Sequence, residues 1–165
     1  MRNLRGKAIL ILLLIGMTSF QQEKVKILII GDSISIGYTP FVIANLEDVA
    51  YVSHNPGNAQ HTGTGLEHIE AWIGDNDWDI IQFNWGLWDL CYRHPDSKEQ
   101  GNRDKINGAI TFDVESYGRN LDSIVKLIRA RSNAELIFVT TTYVPDEEAG
   151  SFRMMSLNTT RLPKR

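Results

Sequence analysis

The stretch "ILIIGDSISIG", residues 27–37, constrains this chain more than any other. Four apolar residues, three of them isoleucine, stop abruptly at Gly31, Asp32 and Ser33. A short continuous apolar run bounded by a turn signal reads as a buried strand, and with Val25 ahead of it the run predicts a strand over 25–30. Strands apolar on both faces belong in a parallel sheet covered by helices. Two readings of Ser33 stand open here: a nucleophile presented by the strand end, or the first polar residue of a turn.

The rest of the chain alternates in the same manner. Residues 50–54 read as a second strand, "WDIIQF" at 78–83 as a third, and "LIFV" at 136–139 as a fourth, apolar on both faces. Pro40 after Thr39 predicts a helix starting there and running through Phe41, Ile43, Ala44 and Leu46. Leu66, Ile69, Trp72 and Ile73 recur at helical spacing, and Tyr117, Leu121, Ile124, Val125 and Ile128 mark the clearest amphipathic helix, with Asp113 as its cap. The glycine-rich segment 55–65 and the polar segment 92–107, with Pro95 and Gly101, read as loops. Strands alternating with helices predict an α/β three-layer sandwich with parallel crossovers.

At 165 residues the chain is expected to be one domain. Its net charge of -3, with no basic stripe, excludes a nucleic-acid partner. The N-terminus differs from the rest: Arg2, Arg5 and Lys7 precede the apolar run 8–15, and Gly16, Thr18, Ser19, Gln21 and Gln22 follow. A basic start, a short apolar middle and a small-residue exit predict a signal peptide over 1–21, cut near Ser19 to Gln22, and hence an exported domain over 22–165. The apolar run is about half the roughly 20 residues a spanning helix needs, so no stable membrane insertion is expected after cleavage. The single cysteine, Cys91, cannot form an internal bridge and reads as a structural thiol.

In an open parallel sheet the ligand site lies outside the carboxyl ends of the strands, so chemistry should follow each strand. It does: Gly31-Asp32-Ser33 after the first, Gly57 and Asn58 after the second, and Asn84-Trp85-Gly86-Leu87-Trp88-Asp89 after the third. A serine attacking an ester builds an oxyanion that needs donors already in place. Backbone amides of Ser33 and Gly57 and the Asn84 side-chain amide are the candidates.

This set resembles the first three sequence blocks of the SGNH/GDSL hydrolases. The resemblance runs from about residue 25 to 144 and implies a flavodoxin-like sheet, with Ser33 as nucleophile and Ser33, Gly57 and Asn84 as the oxyanion hole. Gly31, Asp32, Gly86 and Asp89 are then supporting motif residues. The third block departs from the usual Gly-x-Asn-Asp in having Trp88 where asparagine is expected. Strand order 2-1-3-4 follows, with the fifth strand that would cover the outer edge of the fourth missing. The family's C-terminal Asp-x-x-His block is missing too, since no histidine follows His94. The chain is therefore expected to be C-terminally incomplete, with an irregular tail over about 150–165.

Of the four histidines, His61 sits in the loop after the second strand and is the candidate substitute base or substrate contact, with Trp88 as a second substrate contact. His54 belongs to the strand exit, His68 to the polar side of its helix and His94 to the polar loop. Their spacing matches no metal site, and neither metal nor other cofactor is implied. The reading is a serine esterase acting on carboxylic esters, possibly acetyl, of glycans or small molecules. The alternative is a catalytically silent domain of the same fold that binds carbohydrate, with Trp85, Trp88 and Tyr92 stacking on sugar rings. A nucleotide-binding domain is disfavoured because Gly63-Thr64-Gly65 is not followed by the residues a phosphate loop requires.

Overall fold

The computed structural model describes residues 23–141 and 149–150; the expected signal segment, and the expected tail beyond its first residue, lie outside them. The elements run β1 (Val25–Ile30), α1 (Ser33–Leu46), β2 (Ala50–His54), α2 (Thr62–Ile73), β3 (Ile80–Phe83), α3 (Leu87–Leu90), β4 (Tyr92–Arg93), β5 (Ala109–Ile110), α4 (Val114–Arg131) and β6 (Glu135–Phe138). The main sheet has the order β2-β1-β3-β6, parallel throughout, which is the expected α/β architecture and order with β6 as the fourth strand.

Period-2 alternation divides the two faces of β1. Leu28 and Ile30 join Ile81 and Phe83 of β3, Ile69 and Ile73 of α2, and Tyr117, Leu121, Ile124 and Ile128 of α4 in one buried cluster. Burying such side chains contributes about 1.5–3 kcal/mol each before entropy is subtracted, so this face holds the domain together. Ile29 turns the other way and pairs in register with His54 of β2, whose ring meets Ser35 of α1. Helix α1 thus covers the opposite face over β1 and β2, completing three layers.

Four expectations are corrected. Helix α1 begins at Ser33, not Pro40, because the Asp32 carboxylate caps it by accepting the Ile34 N–H at 2.9 Å. Pro40 lies inside the helix, where it has no N–H for the Ile36 carbonyl and its ring crowds that carbonyl. The glycine-rich loop ends earlier than its composition suggests, as α2 already starts at Thr62. Segment 92–107 is not an open loop: β4 pairs antiparallel with β5, and Asp104 N–H donates to the Tyr92 carbonyl at 2.9 Å. Backbone pairing of this kind needs no hydrophobic period, which is why the sequence pattern misses it. Finally, β6 is covered on one face: Leu136 and Phe138 pack on the core, whereas Ile137 is 41% exposed.

Candidate active site

Ile29 of β1 is level with His54 of β2, and Ile30 is level with Phe83 of β3, so the segments that follow leave the sheet at one edge. The chain passes from β1 to β2 on one side and then crosses to β3 on the other. The topological switch point therefore falls between β1 and β3, with Gly31–Ser33 on one lip and Asn84 on the other. Three backbone bonds extend the ladder past the strands: Asn55 N–H to Ile29 O, Asn84 N–H to Ile30 O and Ala59 N–H to Gly31 O, each 3.0 Å.

Ser33 is the first residue of the 14-residue α1 and is exposed. Its backbone amide is one of the unpaired donors at a helix amino end, where the helix dipole favours negative charge. Gly31 makes the approach possible, because a Cβ there would lie 2.7 Å from Ser35 Oγ. Gly57 has φ +70°, a conformation that favours glycine, and its N–H has no acceptor among the described residues. Asn84 donates one side-chain N–H to the Val139 carbonyl beyond β6. A carboxamide has a second N–H, so this contact orients the group and leaves one donor.

Asn55 is a site residue that the sequence reading missed. It is buried, its Oδ1 accepts the Gly31 N–H at 2.9 Å, and its Nδ2 donates to the Gly57 carbonyl at 3.1 Å. One side chain thus ties the loop of the proposed nucleophile to the loop of the second oxyanion donor. The available signal was an asparagine placed directly between a strand end and Pro-Gly.

The histidines are engaged elsewhere. His54 Nδ1 donates to the Asn55 carbonyl at 2.7 Å and its Nε2 lies 2.7 Å from Ser35 Oγ, which is also 2.8 Å from the Asp32 carbonyl. His61 caps α2, its Nδ1 accepting the Thr64 N–H at 3.2 Å, with its ring edge-on to Phe112. His68 is exposed beside Trp72, and His94 Nδ1 accepts the Asp96 N–H. None of the four hydrogen-bonds Ser33.

Asp89 ties α2 to the segment ahead of α4. It is fully buried, and its Oδ1 accepts both the N–H of Thr62, at 2.9 Å, and the Thr62 hydroxyl. Its carbonyl accepts from Thr111 and Phe112, so one residue joins α2, α3 and the segment leading into α4. Burial pushes its carboxyl above the usual range, and the Thr62 hydrogen bonds pull partly against that. Gly86 starts α3 at φ 140°, which a side chain would resist. Trp85 belongs to the core, its Nε1–H donating to Ala59 O at 3.2 Å, so it offers no face to a sugar. Trp88 is half-buried under the Arg93 guanidinium. Among the described residues no cluster of His, Cys, Asp and Glu could hold a metal, and no helix is long and apolar enough to cross a membrane.

Solved structures share this arrangement of strands and helices. An acetyl xylan esterase superposes with TM-score 0.58 at 13% identity, over 76% of this chain and 65% of that one. An acylhydrolase from Bacteroides fragilis gives 0.53 at 15% identity, over 86% and 60%. A GDSL-like lipase from Bacteroides thetaiotaomicron gives 0.51 at 14% identity, over 82% and 55%. The fold is that of the SGNH/GDSL hydrolases. No family model matches the sequence, and no curated protein does. The chain spans less than two thirds of each of these structures.

Proposed function

We propose that this chain carries the nucleophile and oxyanion hole of an ester hydrolase acting on carboxylic esters, acetyl included, of glycans or small molecules. The observation that carries the reading is the exposed Ser33 at the amino end of α1, on the switch-point edge that Gly57 and Asn84 also reach. Ser33 Oγ attacks the acyl carbon, the carbonyl oxygen becomes the oxyanion, the bond to the alcohol breaks, and water releases the acid from the acyl-serine. Donors from Ser33 N–H, Gly57 N–H and the second Asn84 N–H meet the developing charge.

The serine proton needs an acceptor, and none of the four histidines is bonded to Ser33. In a serine hydrolase, loss of that base costs on the order of 10⁶ in turnover, about 8 kcal/mol of barrier. With no base bonded to Ser33 among the described residues, we expect turnover to be slow and to respond to an added proton acceptor. Imidazole in solution supplies one. The test compares p-nitrophenyl acetate cleavage by the wild type and by Ser33→Ala over a range of imidazole concentrations. A Ser33-dependent rate that climbs with imidazole supports the reading; equal rates at every concentration refute it. The basic and apolar segment 1–21 fits export of the domain. A purely carbohydrate-binding role is less well supported, because Trp85 is in the core and one face of Trp88 is covered.

A further inference from the structure

His54, at the end of β2, is half-buried and makes contacts whose protons can be counted. Its Nδ1 lies 2.7 Å from the Asn55 carbonyl, which can only accept, so Nδ1 holds a proton whether the ring is neutral or charged. Its Nε2 lies 2.7 Å from Ser35 Oγ, and that hydroxyl lies 2.8 Å from the Asp32 carbonyl, again an acceptor only. A neutral imidazole and one hydroxyl bring two protons to these three contacts, so Ser35 donates to Nε2 or to Asp32 and not to both. An imidazolium brings the third proton: Nε2–H donates to Ser35 Oγ, and the Ser35 hydroxyl is committed to the Asp32 carbonyl.

Both ends of this run of bonds reach the site. Asp32 is the residue before Ser33, and its carbonyl also accepts the Ile36 N–H at 3.0 Å, closing the first turn of α1. Asn55, at the other end, is the residue whose side chain joins Gly31 to Gly57. An open cleft lined by Ile36, Thr39, Pro40, His54, Asn55 and Gly57 brings solvent to the ring, so protons exchange there without unfolding. None of the cleft's other residues is charged, and Ile29 of β1 is level with the ring. The titratable groups of the surrounding elements are turned elsewhere: the Asp32 carboxylate to the Ile34 N–H, the Tyr38 hydroxyl to Gln82 of β3, and His61 to the Thr64 N–H. Lys26 of β1 and Tyr51 of β2, paired in register, alternate to the other face of the sheet.

We propose that His54 is a positioning residue of the reaction, acting through Ser35: once protonated, it commits the Ser35 hydroxyl to the Asp32 carbonyl and so fixes the turn that presents Ser33. The word reaction rests on the ester-hydrolase reading, whereas the tie between His54 and the turn does not. NMR tests the tie on the resting protein. The Ser33 and Ile34 amide resonances of the wild type should follow the titration of the His54 ring, read from its own Cε1–H, over about pH 5–8. In Ser35→Ala the ring still titrates but those amides should no longer follow it, whereas a direct effect of the ring's charge would persist. The rate test uses imidazole-supported, Ser33-dependent ester cleavage. His54→Gln offers Ser35 an amide donor at every pH. Its rate should match the wild type on the acid side of the His54 titration and exceed it on the alkaline side by about threefold or more, the worth of one hydrogen bond. His54→Ala, with no donor, should stay below His54→Gln throughout. The proposal is overturned if the wild-type amides do not follow the ring, if they follow it as closely in Ser35→Ala, or if the ratio of His54→Gln to wild type is the same at both ends of the titration. Equal esterase rates for wild type and Ser33→Ala would refute the proposed chemistry instead, and the amide result would still decide the tie.

Discussion

Gly65 sits inside α2 where an alanine would ordinarily be the better helix former by about 1 kcal/mol. A Cβ there would lie 2.6 Å from Trp85 Cζ2 and 2.9 Å from Ile124 Cδ1. Optimal carbon–carbon separation is about 3.5–4.0 Å, so the overlap is roughly 1 Å against two side chains that cannot easily recede. Ile124 is fully buried in α4, and Trp85 is held by its indole bond to Ala59 and by Tyr117, whose hydroxyl donates to the Trp85 carbonyl at 3.0 Å. Overpacking costs about 1–3 kcal/mol and, against two side chains held in place, about 2–3 here, so after the helix gain of about 1 kcal/mol Gly65→Ala should destabilise by about 1–2 kcal/mol. Gly37 in α1 and Gly118 in α4 are the internal controls, since a Cβ at either meets nothing within 4 Å. Alanine at each should stabilise by about 0.5–1 kcal/mol. Urea unfolding at constant m-value measures all three on one scale. A Gly65→Ala chain as stable as the wild type, or a Gly37→Ala chain less stable, would refute the reasoning.

Two further outcomes follow from the polar framework. Asn55→Ala strips the buried Gly31 N–H of its acceptor and frees the Gly57 carbonyl, at a cost of about 1–3 kcal/mol in stability, read by urea unfolding. It should also lower the imidazole-supported, Ser33-dependent rate, and a rate equal to that of the wild type would dissociate Asn55 from the site. Asp89 gives a pH dependence of definite sign. Burial raises its folded-state value above that of the unfolded chain, so the folded chain holds that proton more tightly. Its contribution is fully present below the unfolded value and is lost as pH rises through the folded one. The stability of the wild type relative to Asp89→Asn should therefore decline between acid and neutral pH, and a difference that grows with pH contradicts the assignment.

The strands were legible because each carries its own signal. "KILII" and "DIIQF" are apolar runs closed by turn residues, and they became adjacent parallel strands in the order that the resemblance to the SGNH/GDSL hydrolases implies. Tyr117, Leu121, Ile124 and Ile128 announced α4 and its buried stripe by spacing alone, and Asp113 accepts the Ser116 N–H at 2.7 Å as the cap that its position promised. Local signals misled where two competed. Pro40 pointed to a helix start, but the Asp32 carboxylate supplied a better one seven residues earlier.

By itself, then, the sequence determined the strand and helix classes and the glycine, serine and asparagine that follow successive strands, because hydrophobic period and turn chemistry are properties of neighbouring residues, while the sheet order came from the family resemblance. Tertiary structure alone decided that Asn55 joins Gly31 to Gly57, that His54 faces Ser35 and not Ser33, that Trp85 lies in the core and that Arg93 rests on Trp88. Those contacts link residues brought together by the parallel crossovers and the β4–β5 ribbon, and no period along the chain encodes which side chains meet across them.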